Sequence, residues 1–292
     1  MYGRAKAAIA SSDISRWGTS TMQIGVMTAV LAAVAQTATP PVAGPLVPTG
    51  KWTVEYADSM CLLSREYGTD AGKLTLVFRN IPLSTSTDIV LIFSHVADGR
   101  SDQIGKGVLT IGPSGHKIAG DYKIQRPTSS RESSVMTMSI PTAELDDIAK
   151  SETIMVSALN LPSRTLALKG NIKALAALKS CNDDLLREWK IDPAESDLVA
   201  EPPKARPSTW LADDDYPTAA KGAQGKVTAV FTVGLDGLVS DCRVVISSGT
   251  AVLDTSACRI IVDRMRYTPA IGKDGKPMAT HKTMSFNFAR PQ

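Results

Sequence analysis

The side chains with chemical reach are spread along this chain in a way that brings few of them into register. Three histidines, His95, His116 and His281, fall in separate segments with no ligand spacing between them, whereas a zinc site needs three or four convergent ligands. Ser114-Gly-His-Lys117 matches the Ser-x-x-Lys pattern of an acyl-transfer nucleophile and its base. That pattern belongs at the start of a buried helix; here it lies between Gly112-Pro113 and Gly120, a loop setting. Ser247-Ser248-Gly249 lacks the flanking glycine of a nucleophile elbow and reads as a strand exit followed by a helix cap. Asp98-Gly-Arg-Ser-Asp102 lacks the third carboxylate and the spacing of a calcium loop, so a solvated turn is expected. Asp213-Asp214-Asp215 suits a cation or a basic partner, or simply a polar lead into the module that follows. No nucleophile finds a base. The expectation is a protein that binds rather than catalyses, with no cofactor and no metal.

The four cysteines are an even set. No Cys-x-x-Cys occurs, so neither a redox motif nor a zinc ribbon is indicated, and a disulfide framework in an oxidising compartment is. Four cysteines permit three connectivities. Pairing within modules, Cys61 with Cys181 and Cys242 with Cys258, is the preferred one. The short Cys242–Cys258 loop would contribute about 3 kcal/mol if loop entropy governs.

The N-terminus agrees with export. Arg4, Lys6 and Arg16 precede an apolar run from Ile24 to Ala35 that ends in Ala33-Val34-Ala35, with Pro40-Pro41 beyond. Charged start, short apolar core and small-residue exit describe a secretory signal peptide; a spanning helix needs roughly 20 apolar residues, so a signal-anchor would be a short one. The chain of 292 residues is 43% hydrophobic and 21% charged, an ordinary globular composition. A net charge of +3 with scattered Lys and Arg gives no footprint for phosphates, which excludes nucleic acid as a partner.

The elements that would position these residues fall into an ordered series. Residues 1–35 are the signal peptide or signal-anchor and 36–50 a Pro-rich linker. Residues 51–190 form a strand-rich periplasmic domain, 191–209 a second Pro-rich linker with no fold of its own, and 210–292 a C-terminal domain. In the middle domain Lys73–Asn80 alternates through Leu74, Leu76 and Phe78, and Ser134–Ile140 through Met136, Met138 and Ile140. Ile89–Phe93 is an unbroken apolar run, and Thr153–Leu159 and Thr165–Lys169 read as further strands. Thr142–Lys150 is a short helix capped by Thr142. Asn171–Trp189 is a helix with Ile172, Leu175 and Leu178 inward and a break near Asn182. A sandwich or small barrel with a closing helix follows.

The C-terminal domain predicts a strand over Lys226–Val233, a glycine turn at Gly234–Gly237 and a returning strand over Val239–Ile246. A helix follows over Ala251–Arg264, with Leu253, Ala257, Ile261 and Met265 at helical spacing. A turn at Lys273–Lys276 leads to a last strand over His281–Ala289. Cys258 flanks the helix stripe and can face Cys242. The fold class is α+β, and the last strand lies at a sheet edge. Such an edge offers unpaired backbone groups to an extended peptide. The residues alone leave two alternatives level with that: protection by the charges of Lys282 and Arg290, or cover by a partner in a homodimer.

The ordered set Tyr216-Pro217, Gly225-Lys-Val, Val233 through Asp236-Gly237, Ser247-Ser-Gly249, Leu253-Asp254 and Tyr267-Thr-Pro-Ala270 resembles the C-terminal domain of the TonB family, over about residues 213–290. The resemblance implies a periplasmic module that captures the TonB box of an outer-membrane transporter by strand addition. The capturing edge would be Lys282, Thr283, Met284, Ser285, Phe286, Asn287 and Phe288. Further contacts would come from Asp215, Tyr216 and Pro217 ahead of the first strand. It also implies energy-dependent transport and an inner-membrane proton-motive motor complex as a second partner. Two features depart from the family: the apolar N-terminal segment is short and has no histidine, and strand-rich residues 51–190 stand where a long spacer belongs. The alternative is a soluble periplasmic envelope-binding or scaffolding protein that uses the domain for a peptide or partner without energy transduction.

Overall fold

The computed structural model describes residues 44–57, 59–69, 72–94, 103–126, 133–158, 161–206 and 215–289. The apolar N-terminal segment, most of the first Pro-rich linker, His95, the Asp98–Asp102 turn, Asp213, Asp214 and Arg290 lie outside them.

Strands β1 (Thr53–Ala57), β2 (Met60–Tyr67), β3 (Leu74–Asn80), β4 (Ser86–Ser94), β5 (Gln103–Gly112), β6 (His116–Gln125), β7 (Ser133–Pro141), β8 (Thr153–Ala158) and β9 (Leu161–Ala167) form one sheet. Its order is β1-β2-β3-β4-β7-β6-β5-β8-β9, antiparallel throughout. The sheet curls. The chain before β1 bridges its far parts, Leu46 to Leu166 of β9 and Pro48 to Tyr67 of β2. The alternation read from the sequence places Leu74, Leu76 and Phe78, and Met136, Met138 and Ile140, inside. In β4, Ile89, Val90 and Leu91 are all buried, as an unbroken apolar run implies. Strands β1, β2, β5 and β6 were not expected from periodicity: polar residues and glycines interrupt β5 and β6, and pairing rather than pattern forms them.

Between β7 and β8, a 3-10 turn (Thr142–Glu144) runs into α1 (Leu145–Lys150). Thr142 makes no side-chain cap; its hydroxyl donates to the Ser84 carbonyl at 3.0 Å instead. Helix α2 (Asn171–Glu188) packs on β1 and β2 and is unbroken at Asn182. Ala174, Leu175, Leu178, Cys181 and Leu185 make its buried stripe. Ile172, expected inward, is 65% exposed, because it lies about 120° around the helix from Leu178. Buried Asn171 donates to the carbonyls of Ile148, Ala149 and Ser151 and so satisfies the end of α1. Cys61 of β2 and Cys181 of α2 are disulfide-bonded across 120 residues.

The segment expected as a structureless linker is folded where it is described. Helix α3 (Ala194–Leu198) leads into β10 (Val199–Glu201) and β11 (Lys204–Ala205). A 3-10 turn (Thr218–Ala220) precedes β12 (Gly225–Val233) and β13 (Val239–Ile246), followed by α4 (Ala251–Arg264). The chain closes with β14 (Tyr267–Thr268), β15 (Ala270–Gly272), β16 (Pro277–Met278) and β17 (Thr280–Phe288). β10 pairs with β15 and β11 with β14, so the prolines interrupt a strand-like path docked on residues 267–272. The C-terminal sheet has the order β13-β12-β17, with α4 packed on β12 and β13. Leu253, Ala257, Ile261 and Met265 are fully buried against Val227, Ala229, Phe231 and Val233, and each large apolar side chain so buried contributes about 1.5–3 kcal/mol. Gly237 holds the first turn at φ 76°, and a Cβ there would meet the Tyr267 carbonyl at 2.0 Å. Only glycine fits both conditions.

A third apolar cluster joins the end of α2 and the turn between β3 and β4 to the C-terminal sheet. Leu186, Trp189 and Ile191 pack with Val230 of β12, and Ile81, Leu83 and Val245 lie against them. The Arg243 guanidinium donates to the Trp189 carbonyl in the same seam.

Candidate functional site

The two edges of the C-terminal sheet are built differently. On one side, β13 pairs with β12 through two register shifts, and Asp241 has a positive φ of 53°. Bulged, twisted edges resist pairing with another chain. Cys242 of β13 is also bonded to Cys258 of α4, which ties that edge to the helix. On the other side, β17 pairs with β12 in unbroken register from Gly225–Phe288 to Val233–Thr280. Among the described residues β17 has a strand neighbour on that side alone.

An antiparallel ladder alternates residues whose N–H and C=O face the partner with residues whose groups face away. The His281 N–H is bonded outside the ladder, to Glu195 Oε1 at 2.7 Å. The outward set is therefore 281, 283, 285 and 287. Ser285 and Asn287 are exposed, whereas Lys282 and Thr283 are buried.

A groove of about 430 Å3 runs beside this edge. Lys282 to Ser285 form one wall, and Arg79, Asp88 and Ser139 of the middle sheet, with Ser84 of the β3–β4 turn, form much of the other. Arg79 donates to Asp88 at 2.6 and 3.0 Å. Lys226 also lines the groove; desolvation and the Arg79 charge lower its pKa against the pull of Asp88. Burial lowers the Lys282 pKa as well. The groove is thus polar and carries more positive than negative charge. The Thr283 hydroxyl donates across it to the Pro82 carbonyl at 2.9 Å, and Thr228 and Ser285 hydroxyls meet at 2.7 Å.

At the start of β17, Glu195 of α3 makes a compact cluster. Its Oε1 accepts from the His281 N–H and, at 2.9 Å, from the Thr280 hydroxyl; its Oε2 is 2.8 Å from His281 Nδ1. Burial would raise the Glu195 pKa, but the bonds from His281 and Thr280 and the imidazole charge outweigh it and hold the carboxyl below its ordinary 4.5.

The residues ahead of the sheet have structural partners. Asp215 is 5% exposed and holds Arg264 of α4 through two 2.6 Å contacts. The half-buried Tyr216 donates its hydroxyl to the Ala223 carbonyl at 2.9 Å, and Pro217 leads into the 3-10 turn. Phe286 and Phe288 are buried and stacked at 6.3 Å, and Met284 is half-buried beside them. Thr250 makes no side-chain cap on α4; Asp254 instead braces the turn ahead of the helix, its carboxylate accepting from the Ser247 and Ser248 hydroxyls and the Ser248 N–H.

Elsewhere the candidate chemistry resolves into local structure. Ser114 sits in the β5–β6 turn, its hydroxyl donating to Ile111 and accepting from the His116 N–H, while Lys117 lies opposite Thr110 in the ladder. Sequence spacing missed one juxtaposition. His116 Nε2 is 3.0 Å from Glu144 Oε2, and with Asp147 the three groups offer ligand atoms within 4.8 Å of one another on the surface. The long step from the β5–β6 turn to α1 hid it. Cys61–Cys181 and Cys242–Cys258 are both bonded within their modules, the preferred connectivity. Among the described residues, no helix is long and apolar enough to cross a membrane.

No curated protein sequence matches the chain. Residues 214–289, which carry the sheet just described, match the family described as Gram-negative bacterial TonB protein C-terminal.

Proposed function

We propose that this chain is a TonB-like envelope protein that docks on outer-membrane transporters by strand addition at β17, in support of energy-dependent transport. The observation that carries the reading is the regular, single-sided edge of β17 within the segment that matches the TonB C-terminal family. Main-chain groups at Thr283, Ser285 and Asn287 would pair with a TonB box, and the groove beside Lys282, Met284 and Ser285 would take its side chains. Phe286 and Phe288 hold the strand from within, and Asp215, Tyr216 and Pro217 fix the approach to the sheet. The role is binding, not catalysis, and the compartment is the periplasm, reached through an N-terminal segment that is either cleaved or kept as an anchor.

A photo-crosslinking amino acid placed at Asn287 tests the docking edge. Crosslinks to an outer-membrane transporter from Asn287, and none from Ser240 on the opposite edge, are the expected result. Equal crosslinking from both positions, or from neither, removes β17 as the docking strand.

A second reading is favoured by the apolar seam of Trp189, Ile191 and Val230. A folded body packed directly on the docking sheet is a poor substitute for an extended spacer that must reach across the periplasm. In this reading the protein is a soluble scaffold that holds its partner without coupling to a proton-motive motor. Intact mass measured on fractionated envelopes separates the two. A full-length chain in the inner membrane fits transduction, and a shortened soluble chain fits the scaffold.

A further inference from the structure

The start of the docking edge is already occupied. The His281 N–H, first of the outward-facing groups of β17, is bonded to the carboxylate of Glu195, which the same side chain reinforces through His281 Nδ1 and the Thr280 hydroxyl. Two residues on, the Thr283 side chain is bonded to the Pro82 carbonyl, and Thr283 is buried. Ser285 and Asn287 beyond are exposed. The outward main-chain edge is therefore capped at residue 281, with Thr283 held beside it through its side chain, and is open over 285–287. Both partners come from outside the segment that matches the TonB C-terminal family, Glu195, which caps the His281 N–H, from α3 and Pro82, which holds the Thr283 hydroxyl, from the turn between β3 and β4.

We propose that Glu195 forms an intramolecular latch on the β17 edge, so that a docking strand competes with the chain's own carboxylate and pairs along the full edge only when Glu195 is displaced. This rests on the docking reading above. The physical basis is the kind of bond being exchanged. A carboxylate accepting a backbone N–H makes a charge-assisted bond, stronger than the neutral amide–carbonyl bond that an added strand would put in its place. Glu195 is placed to compete because α3 runs directly into β10, and β10 is paired with β15. The carboxylate is thus anchored through β10 to β15, which belongs to the small sheet β10-β15-β16 just ahead of β17 in the chain, rather than carried on a free tether.

The test uses the full chain, a fluorescent synthetic TonB-box peptide and four proteins: the parent, Glu195→Ala, Glu195→Gln and Thr283→Val. Affinity is read by anisotropy, thermal stability in parallel, and the His281 backbone amide by nitrogen-15 NMR. The latch predicts that Glu195→Ala binds the peptide about 10-fold more tightly than the parent despite a lower Tm, since one charged bond no longer has to be displaced. Glu195→Gln and Thr283→Val should gain less. In the parent, the His281 amide resonance should move on peptide addition as its acceptor changes. A folded Glu195→Ala protein that binds no more tightly than the parent overturns the latch, as does peptide binding that leaves the His281 amide unmoved. If Glu195→Ala does not fold, Glu195→Gln and the His281 amide decide on the same terms. Equal, saturable binding by all four proteins sinks the latch and leaves the docking edge standing, whereas no binding by any of them sinks both.

Discussion

The two edges of the C-terminal sheet flank the same central strand, β12, yet one is closed by its own geometry and the other by its neighbours. β13 is bulged twice, carries a residue at positive φ and is stapled to α4 through Cys242 and Cys258. Nothing outside the module is needed to keep another strand away from it. β17 is regular along its length, and what shields the start of its edge is the Glu195 carboxylate. Intrinsic irregularity is a permanent defence against edge pairing. A covering side chain is a reversible one. The edge suited to a partner is the one whose protection can be removed without unfolding the sheet.

Several substitutions would break or sharpen this contrast. Replacing Cys242 and Cys258 together by serine should cost about 3 kcal/mol of stability in urea unfolding, from the loop that the bond closes. Docking at β17 should persist, since that staple lies on the other edge; loss of docking in a still-folded protein would mean the edges are coupled. A smaller effect is expected from Ser285→Pro, which removes one outward N–H without touching a ladder bond to β12. Peptide affinity should fall about 10-fold while Ser285→Ala, which keeps the N–H, stays near the parent. Next comes Asp254→Ala, which leaves the Ser247 and Ser248 groups of the turn ahead of α4 without their acceptor and should cost about 1 kcal/mol, read by thermal melting.

The smallest effect concerns pH. The Glu195 carboxyl has a folded pKa below its ordinary 4.5, so its bonds contribute stability in full above that value. The contribution fades as pH falls through the lower folded value. Asp254 behaves alike: burial would raise its pKa, but the Ser247 and Ser248 bonds hold it below its ordinary 3.8. Acid melts of the parent and of Glu195→Gln should therefore converge as the pH drops below about 4.5. Parallel curves down to pH 3 would show that the carboxylate charge contributes nothing to the cap.

The C-terminal module was legible because its information is local. Period-two apolar residues in β12 and β17, a glycine turn between β12 and β13, and the stripe Leu253, Ala257, Ile261 and Met265 each report their element within a few residues. Helix α4 accordingly spans the range its sequence indicates. The middle module was less legible. Lys106, Lys123 and Gly120 do not alternate with an apolar face, and β5 and β6 exist because each is paired on both sides in a large sheet. Ile172 misled for a related reason. Several phases of an apolar stretch fit a helix, and only the position of β2 and Cys61 selects the one that faces inward.

By itself the sequence determined the C-terminal strand–turn–strand–helix unit, the even set of cysteines and the placement of an apolar, regular strand at the end of the chain, since each depends on spacing within a short window. Tertiary structure decided what surrounds that strand. The docking of residues 194–206 onto residues 267–272, the apolar seam through Trp189 and Val230, and the reach of Glu195 to His281 across 86 residues join segments with no shared local pattern. A carboxylate in a Pro-rich stretch looks solvated when read along the chain. It becomes a cap on a sheet edge only once pairing of the flanking strands has brought it within 2.7 Å of a backbone N–H.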